Sequence, residues 1–281
     1  MKYVFGVDLG GSRIIKENID TEGNILDKWE IPTRKDLGGK YILPDIADSI
    51  ADKLMEKELT KEQVVGVGVG VPGPVDADGV VFKAVNLGWD IFSVSNTLSD
   101  LVNLPVKAGN DANVAALGEM WKGGGKGHDD LVAVTLGTGV GGGIIVQGKL
   151  LAGATGAGGE IGHIHVEDNE TDRCGCGKTG CLEQYGSATG IVRLATRALE
   201  ATDEASVLRD GELTAKAVCD AAKAKDAVAV KVMEQFGEYL GRGLAAIACV
   251  VNPEIFVIGG GVSLGNDAGI VGAARLVLEQ D

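Results

Sequence analysis

The sequence predicts an α/β fold with a largely parallel sheet, and three observations carry that reading. Short β-rich runs that end in glycine alternate with helical stretches along the chain. Glycine is abundant, with 44 residues against 6 prolines and no collagen-like period, which points to many tight turns and close backbone approaches. Finally, VFGVDLGGS at 4–12 and VAVTLGTG at 132–139 each read as a strand, then Leu-Gly, then a small hydroxyl residue near glycine. Two related halves would produce that similarity, although glycine turns after strands are common in any α/β protein.

Taken in order, strands are predicted at Tyr3–Asp8, Val64–Val71, Leu131–Leu136 and Ile255–Ile258, each running into a glycine-rich turn. Helices are predicted at 44–57, 94–102, 112–121, 183–199, 214–222 and 226–250. The last is rich in Ala, Val and Leu at helical spacing and reads as buried. Cys219 and Cys249 fall in helices and are expected to pack as small hydrophobes. After IGGGVS a further helix, capped near Asn266 or Asp267, ends the chain. The halves would part near Asp111, giving a smaller unit at 1–111 and a larger one at 112–281, with a last helix able to return to the smaller unit.

Composition narrows the function. The 281 residues carry 26 Lys plus Arg against 40 Asp plus Glu, a net charge of −14, with 45% hydrophobic and 23% charged residues. That is the mixture of a soluble globular protein. An acidic surface repels phosphate backbones and anionic lipid, so nucleic acid and membrane surfaces are excluded as general partners. Small anions remain accessible through backbone N–H groups. No apolar run reaches the roughly 18 residues of a membrane helix, and the first apolar run is broken by Asp8 as a signal peptide would not be. Of five cysteines, three crowd into 174–181, which suits metal binding in a reducing compartment better than a disulfide framework. A cytoplasmic protein is expected.

Several motifs carry chemistry. Gly137-Thr138-Gly139-Val140-Gly141-Gly142 matches GxGxxG after a strand, but GGIIVQGKL follows it, a second strand and turn where a dinucleotide site needs a helix. A glycine hairpin remains: either a plain turn or a concavity of N–H groups suited to phosphate. Gly177-Lys178-Thr179 resembles the end of a Walker A loop, yet Asp172 stands where the other glycine belongs. Cys174, Cys176 and Cys181 with His163 offer a Cys₃His set for a structural zinc, with His165 a rival and unligated loop cysteines the alternative. Asp111 either caps the helix it opens or serves as a base at the mouth of a cleft. Glu160, His163 and Glu183 flank the cysteines and suit a polyhydroxylated ligand.

Together VDLGG, GVGVPGPVD, AVNLGWD, NDANVAALGEMWKGGGKG, TLGTGVGGGIIV, GEIGH, CGCGKTGCLE and IGGGVS closely resemble the ROK family of sugar kinases and regulators, nearest its bacterial glucokinase branch. The resemblance covers about residues 4–190 and 240–275. It implies an actin-like ATPase (ribonuclease H-like) α/β fold, with two α/β domains around a cleft. It further implies ATP-dependent phosphorylation of the glucose 6-hydroxyl. Asp8, Gly10, Gly11 and Ser12 are similar to the family's first phosphate turn, with Asp8 near Mg²⁺. Gly137, Thr138 and Gly139 resemble the second phosphate turn, and Gly259, Gly260 and Gly261 the adenosine turn. Asn86, Asn110, Asp111, Glu160, His163 and Glu183 resemble the sugar ligands, with Asp111 the catalytic base. His163, Cys174, Cys176 and Cys181 resemble the zinc set, so His163 would serve both metal and sugar. The implied partners are sugar and nucleotide, and the implied assembly a homodimer or homotetramer.

Two departures stand out. Ile15 occupies a position where the family carries lysine, and Lys16-Glu17-Asn18 fills strand positions that are usually apolar, costly unless paired. IGGGVS leads almost directly into LGNDAGIVGAA, where relatives carry some tens of residues, including a helix and a strand. The short junction at 263–265 is expected to weaken nucleotide binding or promote association. A non-catalytic or weakly catalytic sugar-binding regulator, or a kinase for another hexose, is the alternative. A repressor would normally carry a helix-turn-helix before the first strand, which here begins at residue 3.

Overall fold

The computed structural model describes residues 2–260 together with 274, 275, 277 and 278. β1 (Tyr3–Leu9), β2 (Arg13–Asp20) and β3 (Ile25–Pro32) form an antiparallel meander, and β4 (Val64–Val71) lies parallel to β1. After a ribbon of β5 (Val80–Val81) and β6 (Phe92–Ser93), β7 (Val106–Asn110) joins β4 in parallel, giving the order β3-β2-β1-β4-β7. The second sheet repeats the plan. β8 (Leu131–Leu136), β9 (Val140–Val146) and β10 (Lys149–Leu150) form a meander, and β11 (Ile255–Gly259) lies parallel to β8. β1 and β8 thus hold equivalent places, as the similarity between 4–12 and 132–139 suggests. The sheets are mixed: each meander is antiparallel, and only the strands beyond it are parallel.

Helices Ile42–Glu56 and Val94–Val102 bury Ile42, Ile46, Ile50 and Leu98 against the first sheet. Ala188–Glu200, Ala215–Lys223 and Ala227–Val251 pack together over the second. Asp111–Lys122 touches strands of both sheets. From the end of the chain, Ala274 and Val277 are buried with Val4 and Ile19 on the first sheet. No helix among the described residues is long and apolar enough to cross a membrane. The junction at 263–265, the cap at Asn266 or Asp267 and Gly261 lie outside the described residues.

Three expectations need correction. The helix predicted at 183–199 is two, Glu183–Gly186 and Ala188–Glu200, because extended Ser187 caps the second through a hydrogen bond from Gly190 N–H at 2.9 Å. The helix Ala227–Val251 is buried on one face only. Val228, Val232, Phe236 and Ile247 enter the core, whereas Ala245, Ala246 and Val250 are exposed, since no described element covers that face. Cys249 lies on the open face and is exposed, while Cys219 packs near Met233.

β2 carries the polar run into the interior. Lys16, Glu17 and Asn18 are all buried, because one face of the strand meets helix-covered core and the other meets the Val4–Ile19 cluster. Glu17 pairs with Lys28 at 3.2 Å. The Lys16 ammonium lies 5.8 Å from the Trp29 ring centroid and makes no hydrogen bond among the described residues. Burial lowers its pKa from 10.5 to about 8, a tendency that the charge of Asp45 opposes.

Lys16→Met should therefore stabilise the fold at neutral pH, by about 2–3 kcal/mol. The unfolded lysine binds its proton more tightly than the folded one, so the wild type gains stability as pH rises from about 8 to 10.5. Urea melts of both proteins should show the gap between them closing across that range.

Candidate active site

β7 ends at Asn110, and the helix Asp111–Lys122 starts at the next residue. Asn110 is the N-cap, its side-chain oxygen accepting the Asn113 N–H at 3.1 Å while its amide donates to Gly73 O at 3.1 Å. This corrects the capping reading of Asp111. Its carboxylate accepts the Ala112 N–H at 2.8 Å and otherwise opens on a cavity of about 570 Å³ between the two sheets.

The cavity gathers Asn86, Asn110, Asp111, Glu160 and Glu183 around the glycine hairpin Gly137-Thr138-Gly139, with Gly260 at its edge. The hairpin joins β8 to β9, with Leu136 opposite Val140, so an antiparallel strand and not a helix follows the turn. Gly137 N–H closes the turn on Gly139 O at 3.0 Å, and Glu183 accepts the Val140 N–H at 3.1 Å. A Cβ at Gly139 would meet the Glu183 carboxylate and push it off the Val140 N–H.

Asp111, Glu160 and Glu183 line this cavity, and Asp8 lies behind Asp111 without lining it. Asp8, at the end of β1, is pushed up to about 6, first by burial and then by Asp111, with Lys28 opposing. Asp111 is open to the cavity but walled by protein elsewhere. Loss of surrounding water raises its pKa, the Ala112 N–H opposes that, and Glu160 adds to it. Two neighbouring carboxylates that both resist ionisation call for a cation or a proton donor between them.

Beside the cavity, ligand atoms of His163, Cys174, Cys176 and Cys181 all lie within 4.8 Å of one another. Cys174 Sγ is 3.7 Å from His163 Nδ1, and Cys176 Sγ is 3.6 Å from Cys181 Sγ. Tetrahedral ligation at about 2.3 Å spaces thiolates about 3.7–3.8 Å apart, close to the two shortest separations here, so the donor set and its convergence fit zinc. Burial raises Cys181 to about 12, so the cluster cannot ionise fully without a cation. His165 is excluded as the rival ligand, since its nitrogens face Thr179 O at 3.1 Å and Asp168 at 2.8 Å. His163 turns Nδ1 to the cysteines and holds Nε2 3.9 Å from the carboxylate of Glu160, which lines the cavity.

A ROK family model matches residues 4–268. The chain belongs to the ROK family. It is 43% identical to a glucokinase of Halalkalibacterium halodurans over 317 aligned positions, covering 100% of this chain and 96% of that protein. Because those positions exceed this chain's 281, the relative carries residues with no counterpart here. A ROK family glucokinase from Streptomyces griseus, solved with glucose and AMPPNP, superposes with a TM-score of 0.77 at 35% identity, covering 98% of each chain. A ROK hexokinase from Thermus thermophilus superposes at 0.82 with 29% identity, covering 98% of this chain and 97% of that one. The fold is therefore the actin-like ATPase fold of ROK kinases.

Not every residue implied by the ROK resemblance meets in the cavity. Gly10, Gly11 and Ser12 form the β1–β2 turn, which does not line it; Thr33 braces that turn by donating to Gly10 O at 2.7 Å and Ser12 O at 3.0 Å. Gly259 ends β11 opposite Thr135. Gly73, Ala112, Thr135 and Gly159 line the cavity and were missed. Gly73 sits at φ 109° before Pro74, so the Gly-Pro in GVPGP was the available signal. The others have none, since they are brought in by the packing of helix Asp111–Lys122 on β8 and β9.

Asp8→Asn should stabilise the metal-free ROK fold at pH 7–8, by about 1–3 kcal/mol. The folded carboxyl holds its proton more tightly than the unfolded one, so the contribution of Asp8 to stability is fully present below pH 4 and is lost as pH rises through about 6. Thermal melts in EDTA should show the variant's advantage at pH 8 disappearing at pH 4.

Proposed function

We propose that this ROK chain is a glucokinase, transferring the γ-phosphoryl group of ATP to the 6-hydroxyl of glucose. The observation that carries the reading is a single cavity holding both the Asp111 carboxylate and the glycine hairpin 137–139, ringed by Asn86, Asn110, Glu160 and Glu183. The full-length similarity to named glucokinases supports the same substrate.

Asp111 accepts the proton of the 6-hydroxyl as that oxygen attacks the γ-phosphorus in line with departing ADP. Its raised pKa makes it a better proton acceptor than an ordinary surface carboxylate. Asn86, Asn110, Glu160, His163 and Glu183 hold the sugar hydroxyls, fixing the attacking oxygen against its partner. Amides of Thr138 and Gly139 receive the phosphates, and Gly259, Gly260 and Gly261 the adenosine, while Gly10, Gly11 and Ser12 close on the phosphates from the first sheet. Asp8 would hold Mg²⁺, which neutralises charge on the triphosphate when bound. His163, Cys174, Cys176 and Cys181 would hold a structural zinc that sets the His163 ring against the sugar. The smaller unit at 1–111 and the larger at 112–281 form the two jaws, and the active form is a cytoplasmic homodimer or homotetramer.

Glucose 6-phosphate formation, followed with a coupling enzyme across a sugar panel, tests the reading. Turnover with glucose above mannose, fructose and N-acetyl hexosamines is expected, whereas sugar binding without turnover would make the chain a regulator. Asp111→Asn should lower kcat by at least about a hundredfold while sugar affinity and fold survive. Elemental analysis should find one zinc per chain, lost in Cys176→Ala.

A further inference from the structure

The hairpin 137–139 is gripped from outside the cavity by one short segment, Glu183–Thr189. Ala188 N–H donates to Gly137 O at 2.8 Å, and the Thr189 hydroxyl donates to Thr138 O at 2.7 Å. Ser187 Oγ lies 2.9 Å from that hydroxyl and is fully buried, fixed by Glu183 O at 2.7 Å and by the Gly190 N–H. At the other end of the segment Glu183 takes the Val140 N–H. The carbonyls of Gly137 and Thr138 are thus both engaged from behind. The amide N–H groups of Thr138 and Gly139, both in the cavity wall, donate to nothing among the described residues.

We propose that Thr189 is a positioning residue for phosphoryl transfer: it holds the Thr138 carbonyl turned away so that the Gly139 amide, beside the Thr138 amide that Ala188 orients through Gly137 O, faces the nucleotide's phosphates. The inference rests on the glucokinase reading, and deepens it by assigning the segment that pre-orients the phosphate turn. The physical need is plain. A three-residue glycine-rich turn has many accessible backbone conformations, and a flipped 138–139 peptide would aim a carbonyl at an anion. Donors held in place before binding stabilise phosphate charge without reorganisation at the moment of reaction. Thr189 is itself exposed, so its hydroxyl is under no burial constraint to bond the turn, and removing it leaves no buried group unpaired in the core.

Thr189→Val keeps the shape and removes only the donor. Binding of Mg-ATP to wild type, Thr189→Val and Thr189→Ser, measured by calorimetry in the absence of sugar, tests the role independently of turnover. Steady-state kinetics with glucose on the same proteins complete the comparison. The valine variant should bind ATP about five- to tenfold more weakly and raise KM for ATP alike, with KM for glucose within about twofold and an unchanged melting temperature. Thr189→Ser should behave as wild type. ATP affinity unchanged in the valine variant, or ATP and glucose constants worsening together with a lowered melting temperature, would overturn the assignment. A wild type that binds ATP but phosphorylates no sugar sinks the glucokinase reading alone, since the binding ratio still decides the role of Thr189; a wild type that binds no nucleotide sinks both.

Discussion

The helix Asp111–Lys122 sits between two sheets at distances that only glycine permits, and the site depends on that fit. A Cβ at Gly70 of β4 would lie 2.8 Å from Val114, one at Gly141 of β9 3.0 Å from Ala112, and one at Gly143 would overlap Ala116. Close packing at backbone level fixes the helix start to a few tenths of an ångström, because interiors leave no free volume to absorb a shift. Asp111 is the first residue of that helix. Its carboxylate is therefore held at the junction of both sheets, facing the hairpin 137–139 across the cavity.

That placement has an electrostatic cost. Asp8 and Asp111 lie at the ends of elements that converge from the same sheet; Asp111 adds to the reluctance of Asp8 to ionise and Glu160 to that of Asp111, in a chain already carrying −14. An anionic nucleotide enters such a site only if cations and oriented dipoles outweigh the carboxylates. The glycine hairpin supplies the dipoles, and the carboxylates themselves supply the attraction for a divalent ion.

The cysteine loop extends the same logic outward. Its ligand atoms converge beside the cavity, and His163 spans the two with opposite ring nitrogens. Two residues beyond the last cysteine, Glu183 reaches the hairpin, and the chain then breaks helix at Ser187 to grip the hairpin's carbonyls. Cysteine loop, cavity wall and glycine hairpin are joined by one continuous stretch of chain. The interruption at Ser187 costs helix continuity, and the hydrogen bonds of Ser187 and Thr189 offset it.

Local chemistry made much of this legible in advance. The strand ends at Val71 and Leu136, the helix Val94–Val102 and the hairpin after β8 follow from periodicity and from glycine, whose effects act over a few residues. The ordered motifs identified the family and, with it, Asn86, Asn110, Asp111, Glu160 and Glu183 as neighbours in one cavity. Spacing could not choose between His163 and His165, because both lie within reach along the chain and only the fold turns one ring toward the cysteines. Nor could it seat Lys16, Glu17 and Asn18, whose burial is imposed by layers contributed from distant helices. The grip of Ala188 and Thr189 on the hairpin was equally hidden, since the carbonyls they bond lie some fifty residues earlier. The sequence alone determined which short elements form and which chemistry they carry, through interactions of short range. Tertiary structure alone decided which of those groups share water-poor space, since burial, pKa and metal geometry depend on atoms that meet only after the chain has closed on itself.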